Sequence, residues 1–567
     1  MRFIASPWFA AGRLFPAALA AALACAAAFA APATLPRYGG TLVVELHAPS
    51  LILDPAKWKS GAPDSAASAQ IASAVFDRLL TLDRFGRFQP ALATEWSHDA
   101  ASRRWQFTLR SGVQFSDGSP LTAADAAAAL QELFVALSPA KPAVTVSGAR
   151  LVVQFSSAVP DLLEQLASPH YFIFRRTAAG ALLGTGPFFV KEFIPAPGGT
   201  AISHYKLAAN EHCWAGRPFV DALEVYVGVP PLRQLIDLQL GKADVVEISP
   251  DLMRRAAQEN LRVWASSPVL LYALQLNAEA SGPDKAGLEK VSADQAGTEK
   301  GGTEKGGAGK LNTAHATDTP KPTLGDALSL SLDRATMANV LLQRQAEPAA
   351  SFLPQWLSGY AFVFSMETNL ERAKEISAAL FASPSTPGAS GATWSSPLRL
   401  HVDAAGDVAK LLAERVAINA RQAGIPVQVQ PRSFARDASS SGSTGAAKNS
   451  DTAGFRLISW RYSSLSQRAE LDSMIATLQL APAPDEKDKP ADDPEQLYLR
   501  ERQVIAAREL IPLVMLPEYI GLGTGVRDWM AERWGEWHLA DVWLDGKRPL
   551  SPPAPVSTPS AAGGVHP

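Results

Sequence analysis

Alternating apolar and polar positions predict several β-strands in this chain. Trp105, Phe107 and Leu109 are separated by polar residues, which is the pattern of a strand with one buried face. Short runs rich in β-branched and aromatic residues indicate the same structure elsewhere. They predict strands at 41–45, 151–155, 223–227 and 426–430.

Helical patterns occur between these strands. Thr122 and Asp125 form a capping-box pair, because a hydroxyl and a carboxylate at this spacing each satisfy a free backbone N–H at a helix start. Leu130, Leu133 and Phe134 then recur on one helical face. The mixture predicts an α/β protein, with further helices at 372–381, 407–423 and 494–509.

Polar segments of low complexity interrupt these patterns. The longest is built on an imperfect repeat, AGLEK, AGTEK and GGTEK, with few apolar residues. Segments of this composition cannot bury enough apolar surface to form a core, so we expect solvated, disordered insertions and a disordered tail. The insertions are 279–323, 383–397, 436–454 and 480–495, and the tail is 551–567.

Length and charge narrow the class of protein. The chain has 567 residues, and without the first 30 residues and these segments about 425 remain, close to three domain-sized units. Its 52 Lys and Arg residues against 55 Asp and Glu residues give a net charge of −3. Such a chain has no large positive field for a polyphosphate backbone, so we expect no nucleic-acid partner.

The first thirty residues have the pattern of an export signal. Arg2 and Arg13 precede an apolar, alanine-rich run that ends Ala28-Phe29-Ala30, a small-x-small cleavage site. The run is too weakly apolar for a membrane anchor. We therefore expect a cleaved signal peptide at 1–30 and a periplasmic mature protein, with lipid attachment at Cys25 as the alternative.

Motifs for catalysis or metal binding do not occur. The chain has no G-x-S-x-G, H-E-x-x-H or phosphate-loop motif flanked by a strand and a helix, and its histidines lack zinc-ligand spacing. Cys213 has no base motif near it, and we interpret it as a buried structural thiol that forms no disulfide in the cleaved chain. Carboxylate pairs distant in sequence stay open, but binding is favoured over catalysis. We expect no enzyme activity, no cofactor and no metal.

An ordered series of motifs points to one family. It begins with DRFG at 83–86, PALA at 90–93 and WQFTLRSGVQFSDG at 105–118. Further segments follow in order: GTGPF at 184–188, NEHCW at 210–214, LGKAD at 240–244, LQLN at 274–277, LDR at 332–334 and AGIPV at 423–427. The series resembles the extracytoplasmic solute-binding proteins of family 5, the dipeptide, oligopeptide and nickel receptors of ABC importers.

The resemblance implies a two-lobed α/β fold of the type 2 periplasmic-binding-protein class, which closes on ligand like a flytrap. An extra subdomain is expected on the first lobe. The implied division assigns 31–55, 184–268 and 500–550 to lobe I, 56–183 to the subdomain, and 269–499 with its insertions to lobe II.

Two departures from the family pattern bear on ligand choice and on the hinge. Peptide-binding members carry W-x-x-D in the second lobe, where the Asp holds the ligand's α-amino group; here Trp460 is followed by Ser463 in that position, with Arg461 beside it. We therefore expect a ligand without an exposed ammonium: an anion, a sugar or a modified peptide. After the hinge strand the family has V-R-x-A-L, whereas this chain has Gly325 in place of the Arg.

The resemblance and the chemistry of aromatic contacts supply the candidate ligand-binding residues. Large rigid aromatics give contact area in clefts, although core packing is the alternative for each. Glu45 and His47 occupy a loop position at the end of the first strand that faces ligand in the family, with a free surface pair as the alternative. The full set is Glu45, His47, Tyr272, Trp460, Arg461, Tyr462 and Ser463.

The function that the resemblance implies is that of a monomeric receptor. It would bind a peptide or related small solute between its lobes and deliver it to an ABC permease and its ATPase subunits. The alternative keeps the fold without the transport, as a sensor or chaperone-like interaction protein.

Overall fold

The computed structural model describes residues 35–59, 61, 63–83, 85–137, 141–196, 202–276, 322–381, 397–403, 406–431, 454–480 and 493–546. The predicted signal peptide with Cys25, nearly all of the four predicted insertions, and the tail lie outside these residues. Five predicted insertion boundaries overlap described structure: Thr323 caps a helix, Pro397 is described and exposed, a strand begins at Gly454, Leu480 is buried, and a helix begins at Pro494.

The strands are numbered in chain order. Strands β1 to β10 are Thr41–Leu46, Leu80–Leu82, Phe88–Pro90, Ala93–His98, Arg104–Leu109, Ala143–Ser147, Arg150–Gln154, Arg175–Arg176, Leu182–Leu183 and Phe188–Ile194. Strands β11 to β21 are Ser203–Ala209, Ala222–Val227, Val245–Ile248, Arg262–Leu276, Glu347–Pro348, Leu398–Val402, Val427–Pro431, Gly454–Arg461, Leu510–Leu522, Val526–Arg527 and Trp543–Leu544.

The α-helices are numbered in the same way. Helices α1 to α6 are Pro63–Val75, Ala123–Leu137, Leu162–Ala167, Pro231–Gln239, Met253–Gln258 and Leu324–Ser331. Helices α7 to α12 are Arg334–Thr336, Gln355–Ser358, Leu370–Phe381, Asp407–Gln422, Gln467–Leu478 and Pro494–Ala506. In the described part of the chain, no helix combines the length and the apolar character needed to span a bilayer.

One large mixed sheet runs through both lobes. Its order is β10-β11-β12-β1-β13-β19-β14-β18-β16-β17, with β15 beside β19. Lobe I holds β10, β11, β12, β1 and β13. Within it, β1 pairs in parallel with β12 and β13. Lobe II holds β16, β17 and β18, which pair in parallel through β16. The two-lobed α/β fold predicted from the resemblance is confirmed.

The long antiparallel strands β14 and β19 connect the lobes. Arg262–Ala265 pair with Tyr519–Leu522 inside lobe I, and Leu270–Gln275 pair with Leu510–Leu516 inside lobe II. The register shifts on both sides of the pair formed by Pro268 and Pro517. Because proline has no N–H to donate to a ladder, the hydrogen-bonded pairing is interrupted there. This pair marks the hinge.

The subdomain is a four-stranded antiparallel sheet, β4-β5-β7-β6, covered by α2. The predicted capping box forms: the Thr122 backbone N–H donates to the Asp125 carboxylate at 2.9 Å, and the Asp125 N–H donates to the Thr122 hydroxyl at 3.2 Å. Trp105 and Phe107 are buried, and Trp96 is half-buried against the same core. The strand and the helix that the pattern predicts here are therefore confirmed.

Lobe II has a separate core on each face of its sheet. Along β14, Tyr272 and Leu274 pack into one cluster, and Leu271 and Ala273 into the other. This division follows from the two-residue period of a strand, which turns successive side chains to opposite faces. The helices α6, α9 and α10 cover the first face, and α11 and α12 lie against the second.

Candidate functional site

A cavity of about 400 Å³ lies between the subdomain of lobe I and lobe II. Cavities of a few hundred cubic ångströms are typical of small-molecule sites. The subdomain side of the wall is Trp58, Lys59, Ala136, Leu137, Phe155, Ser157, Val159, Gln165, Ser168, His170 and Tyr171. The lobe II side is Ser463, Ser464, Arg468, Ala469, Asp472, Ser473, Ala476 and Thr477.

One face of α11 forms most of the lobe II wall. Ala469, Asp472, Ser473 and Ala476 follow helical spacing, so they share a face. The opposite face buries Leu471, Met474 and Ile475 in the lobe core. Apart from Arg468 and Asp472, the helix thus presents small and hydroxyl-bearing side chains to the cavity, which leaves room for a ligand and offers hydrogen bonds to it.

Glu470 shapes the turn that carries Ser463 and Ser464 into the wall. Its carboxylate accepts the backbone N–H groups of both serines, at 3.1 and 2.7 Å, and the indole N–H of Trp460 at 2.6 Å. Burial raises the pKa of Glu470. The three donors stabilise the ionised carboxylate and so oppose this rise. A buried carboxylate with this many donors fixes the backbone of the turn.

His170 and Tyr171, two ionisable groups on the subdomain side, are neutral near pH 7. Burial, with a smaller effect of the Arg461 charge, lowers the pKa of His170 to about 4. Burial and the nearby Asp161 carboxylate raise the pKa of Tyr171 well above its usual range. Both side chains therefore present uncharged hydrogen-bonding groups to a ligand.

The carboxylates at the cavity already have cationic partners. The Asp472 carboxylate forms an ion pair with the guanidinium of Arg500 at 2.6 Å and lies 3.9 Å from the guanidinium of Arg468. Asp161, which lies behind the wall, is ion-paired with Arg468. A ligand ammonium would therefore find these natural partners engaged by guanidinium groups.

Direct contacts join the two lobes beside the cavity. The hydroxyl of Ser466 and the guanidinium of Arg468, both in lobe II, donate to the carboxylate of Asp161 in the subdomain. The Leu465 N–H donates to the Ser168 hydroxyl at 3.0 Å. Gly61 lies flat against the Trp460 ring, where a Cβ atom would overlap the indole, and its φ is +74°. The structure therefore shows the lobes closed on each other.

Of the seven candidate ligand-binding residues, Ser463 is the one that the structure places in the described cavity wall. Arg461 is buried, and its guanidinium pairs with Glu518 through contacts of 2.7 and 3.0 Å. Burial opposes its charge, but Glu518 outweighs this effect and raises the pKa of Arg461. Arg461 is thus a neutralised cation at the hinge and not a free charge that faces a ligand.

The three aromatic candidates are buried in lobe II. Trp460 and Tyr462 pack in one core cluster, and the Tyr462 hydroxyl donates to the Phe352 carbonyl. Tyr272 packs in the cluster on the opposite face of the sheet. The structure therefore does not bring Tyr272 and Trp460 to one surface, and core packing, the alternative reading, describes where they lie.

Glu45 and His47 lie in lobe I, outside the described cavity wall. Glu45 is buried near Asp237 of α4, and burial followed by that negative charge raises its pKa to about 7. His47 is exposed, and its backbone N–H donates to Glu247 at 2.6 Å. Their contact with a ligand stays a prediction.

Cys213 is a half-buried free thiol. Burial raises its pKa to about 11, so the thiol is protonated at neutral pH and is a poor nucleophile. Among the residues that the structure describes, no group of three or more His, Cys, Asp or Glu side chains is arranged to hold a metal ion.

Sequence reasoning missed most of the wall. His170, Tyr171, Arg468 and Asp472 belong to no motif, and the pattern of α11 was not recognised as helical. The available signal was Ser466, since a serine followed by Glu470 four residues on precedes a run with apolar residues at helical spacing; its hydroxyl accepts the Ala469 N–H as an N-cap.

Two α/β lobes joined by a pair of strands, with a cavity between them, define a two-lobed solute-binding protein. The family model described as "Bacterial extracellular solute-binding proteins, family 5 Middle" matches residues 87–472. The chain belongs to this family. The resemblance read from the sequence motifs is confirmed.

Known relatives give the range of ligands in the family. The nickel-binding periplasmic protein of Escherichia coli K12 is 27% identical over 194 residues, which are 31% of this chain and 36% of that protein. The chain thus matches about a third of the length of this curated relative. Family 5 receptors of ABC importers bind peptides or nickel.

Solved structures of relatives share the fold over nearly the whole chain. The murein tripeptide binding protein MppA of Escherichia coli superimposes with a TM-score of 0.65 at 16% identity, covering 90% of this chain and 99% of that one. NikA from Staphylococcus aureus, in complex with Ni(L-His)2, superimposes with a TM-score of 0.61 at 15% identity, covering 89% of this chain and 100% of that one. At these identities the likeness shows the fold alone.

Proposed function

We propose that this chain is the extracytoplasmic receptor of an ABC importer and that it binds a peptide-like small solute in the cavity between its lobes. The observation that carries the proposal is the cavity of about 400 Å³, whose wall is shared by the subdomain and lobe II. A ligand that contacts both sides favours the closed state, which a permease can distinguish from the open one. The predicted signal peptide places the receptor in the periplasm, where it acts as a monomer with a permease and ATPase complex.

The solute lacks an exposed ammonium group. Ser463 stands in the wall where the family's peptide receptors have Asp, and the nearby carboxylates of Asp161 and Asp472 are paired with arginines. Tyr171 and the serines of the wall supply neutral hydrogen bonds to such a ligand.

The first experiment identifies the solute. The exported protein is purified from its own host, and mass spectrometry is applied to whatever small molecule is released on unfolding. We expect a peptide-like, sugar-like or anionic solute without a free amino terminus. Recovery of no solute, together with no binding of any candidate from that class, would contradict the receptor function.

The second experiment tests the role of Ser463 by calorimetry. Ser463→Asp restores a carboxylate to the wall, and a charged hydrogen bond to an ammonium is worth about 1.5–3 kcal/mol. The variant should bind unmodified di- and tripeptides about tenfold to a hundredfold more tightly than the native protein does. Ser463→Asn has nearly the same size without the charge and should show no such gain. Tight binding of free peptides by the native protein, unchanged in Ser463→Asp, would overturn the proposed ligand class.

A further inference from the structure

Asp161 is the residue on which two of the hydrogen bonds between the lobes converge. It lies in the subdomain, immediately before α3, and its carboxylate accepts three donors. The Gln165 side chain donates from the same lobe at 3.1 Å. Ser466 and Arg468 donate from lobe II. Two of the three bonds therefore exist only while the lobes are closed.

The partner surface is the N-terminus of α11. Ser466 is the N-cap of this 12-residue helix: its oxygen accepts the Ala469 N–H at 3.0 Å, which leaves its own O–H free to donate to Asp161. The positive end of the helix dipole also favours a carboxylate at this place. Arg468, the second residue of the helix, brings a positive charge to the same carboxylate.

Solvent has little access to this contact. The side chain of Asp161 is 11% exposed and that of Arg468 is 19% exposed. A charge pair with this little exposure is screened less than a surface ion pair, and separating the lobes leaves each charge to be solvated alone. The neighbouring bond from Leu465 N–H to Ser168 reinforces the same contact.

We propose that Asp161 is a latch residue that stabilises the closed state of this protein in the absence of ligand. Asp161 acts through Ser466 and Arg468 and forms no part of the cavity wall among the described residues, so it positions the lobes without touching the solute. Because Ser168 and Arg468 belong both to the latch and to the wall, closing the latch completes the cavity. The apparent affinity for any solute then depends on the fraction of closed molecules.

The test measures the distance between the lobes with spin labels. Cysteines replace the exposed residues Val146 in the subdomain and Phe362 in lobe II, in a Cys213→Ser background. The full exported chain is freed of bound solute by unfolding and refolding, and the distance distribution is recorded by electron paramagnetic resonance. We expect a substantial closed population in the native sequence and a closed-to-open ratio lower by about tenfold or more in Asp161→Asn.

Two further variants separate the latch from general damage. Arg468→Gln should lower the ratio as Asp161→Asn does, and the double variant should add little, because both changes remove the same contact. Arg372→Gln is the control, since it breaks an arginine–glutamate pair of 2.8 Å that lies wholly within α9 of lobe II and shares no partner with Arg468. It should leave the distances unchanged.

The outcomes decide the proposal independently of the ligand. An Asp161→Asn variant that melts like the native protein and keeps its closed-to-open ratio would overturn the latch. A single open distance in the ligand-free native protein would overturn it as well. If Asp161→Asn does not fold, Arg468→Gln and Ser168→Ala provide the same comparison from lobe II and from the neighbouring bond. Neither result bears on whether the cavity binds a solute.

Discussion

Glu45 is a buried carboxyl group next to a second one, and this pair gives the protein a pH-dependent stability. Its side chain is 7% exposed, and in the described structure its Oε2 atom has no hydrogen-bond partner. Burial and the charge of Asp237 raise its pKa from 4.5 to about 7, against smaller opposing effects of Arg233 and Lys242. The folded protein therefore keeps a proton that the unfolded chain releases.

The sign of the pH dependence follows directly. Between the unfolded pKa near 4.5 and the folded pKa near 7, the folded state binds more protons, so the free energy of unfolding falls as the pH rises through this window. Glu45→Gln removes the titration. From pH 5 to pH 8, we expect the free energy of unfolding of the variant to rise by about 1–3 kcal/mol relative to that of the native protein.

Urea unfolding at several pH values measures this difference. Glu247 and Glu501, whose pKa values burial also raises to about 7, contribute the same slope to both proteins and cancel in the comparison. Glu95→Gln, at an exposed position of β4, is the control and should track the native protein. A constant offset between Glu45→Gln and the native protein at every pH would contradict the prediction.

The ligand-contact residues show why single side chains were hard to assign from the sequence. Ser463 was identified because it departs from a local motif, and it lies in the cavity wall. Arg461 has its partner Glu518 57 residues further on, so no local pattern reveals that its charge is neutralised. Trp460 satisfies a motif, but the same aromatic surface that suits a cleft also suits a core.

At the scale of elements, α6 packs against the turn between α12 and β19. Gly325 of α6 faces Arg508, and a Cβ atom at Gly325 would lie 2.5 Å from the Arg508 Cβ and 3.2 Å from its carbonyl oxygen. Arg508 in turn pairs with Asp326 at 3.1 Å. The glycine that departs from the family pattern is thus explained by close packing, and Arg508 brings a guanidinium to this place from another element.

Gly325→Ala should therefore destabilise the protein although alanine is the better helix former. Overpacking costs about 1–3 kcal/mol, which exceeds the helix-propensity gain of about 1 kcal/mol in most of that range. Chemical denaturation measures the loss. Arg508→Gly supplies a rescue background, because Arg508 has a φ of +53° that glycine adopts without strain, and the change removes the clashing Cβ. Equal losses from Gly325→Ala in both backgrounds would contradict the packing explanation.

The elements were predicted best where their signals are local. The start of α2 follows from Thr122 and Asp125, and the structure adds Arg175, which pairs with Asp125 at 2.7 Å from a distant strand. Helix α11 was not predicted, because its cavity face carries small and polar residues that obscure the periodicity. The small and polar side chains on that face are the reason its pattern is weak.

For the whole molecule, the hinge is the feature that relates the two lobes. The backbone donors next to its prolines bond outside the ladder: the Ser267 N–H donates to the Arg533 carbonyl at 2.6 Å, and the Glu518 N–H donates to the Ser266 hydroxyl at 2.9 Å. The Pro268 carbonyl accepts the indole N–H of Trp356 at 2.7 Å. The polar groups at the crossing are thus satisfied by side chains and by a neighbouring loop.

Ser266→Ala tests this arrangement. The change leaves the Glu518 N–H without its acceptor in a part-buried position; a fully buried unsatisfied donor costs about 1–3 kcal/mol, so we expect a loss at the lower end of that range. Thermal and urea unfolding should show this loss. Ser267→Ala is a matched control one residue away, because Ser267 makes its contact through the backbone and should keep nearly all of the native stability.

The overall architecture was predicted from the resemblance and not from periodicity. Alternation and helical spacing give an α/β protein, but they do not say that β14 and β19 each contribute to two lobes. That arrangement depends on pairing between segments separated by hundreds of residues. The motifs carry this information because they mark positions in a fold already known.

A pivot built from two prolines has a mechanical consequence. Because Pro268 and Pro517 contribute no N–H groups, and the adjacent Ser267 and Glu518 donors are held elsewhere, the strands can bend at this point without breaking a ladder bond. The hinge ladder itself then resists the motion of the lobes only weakly. On such a hinge, even a weak contact between the two lobes shifts the equilibrium between the open and closed states.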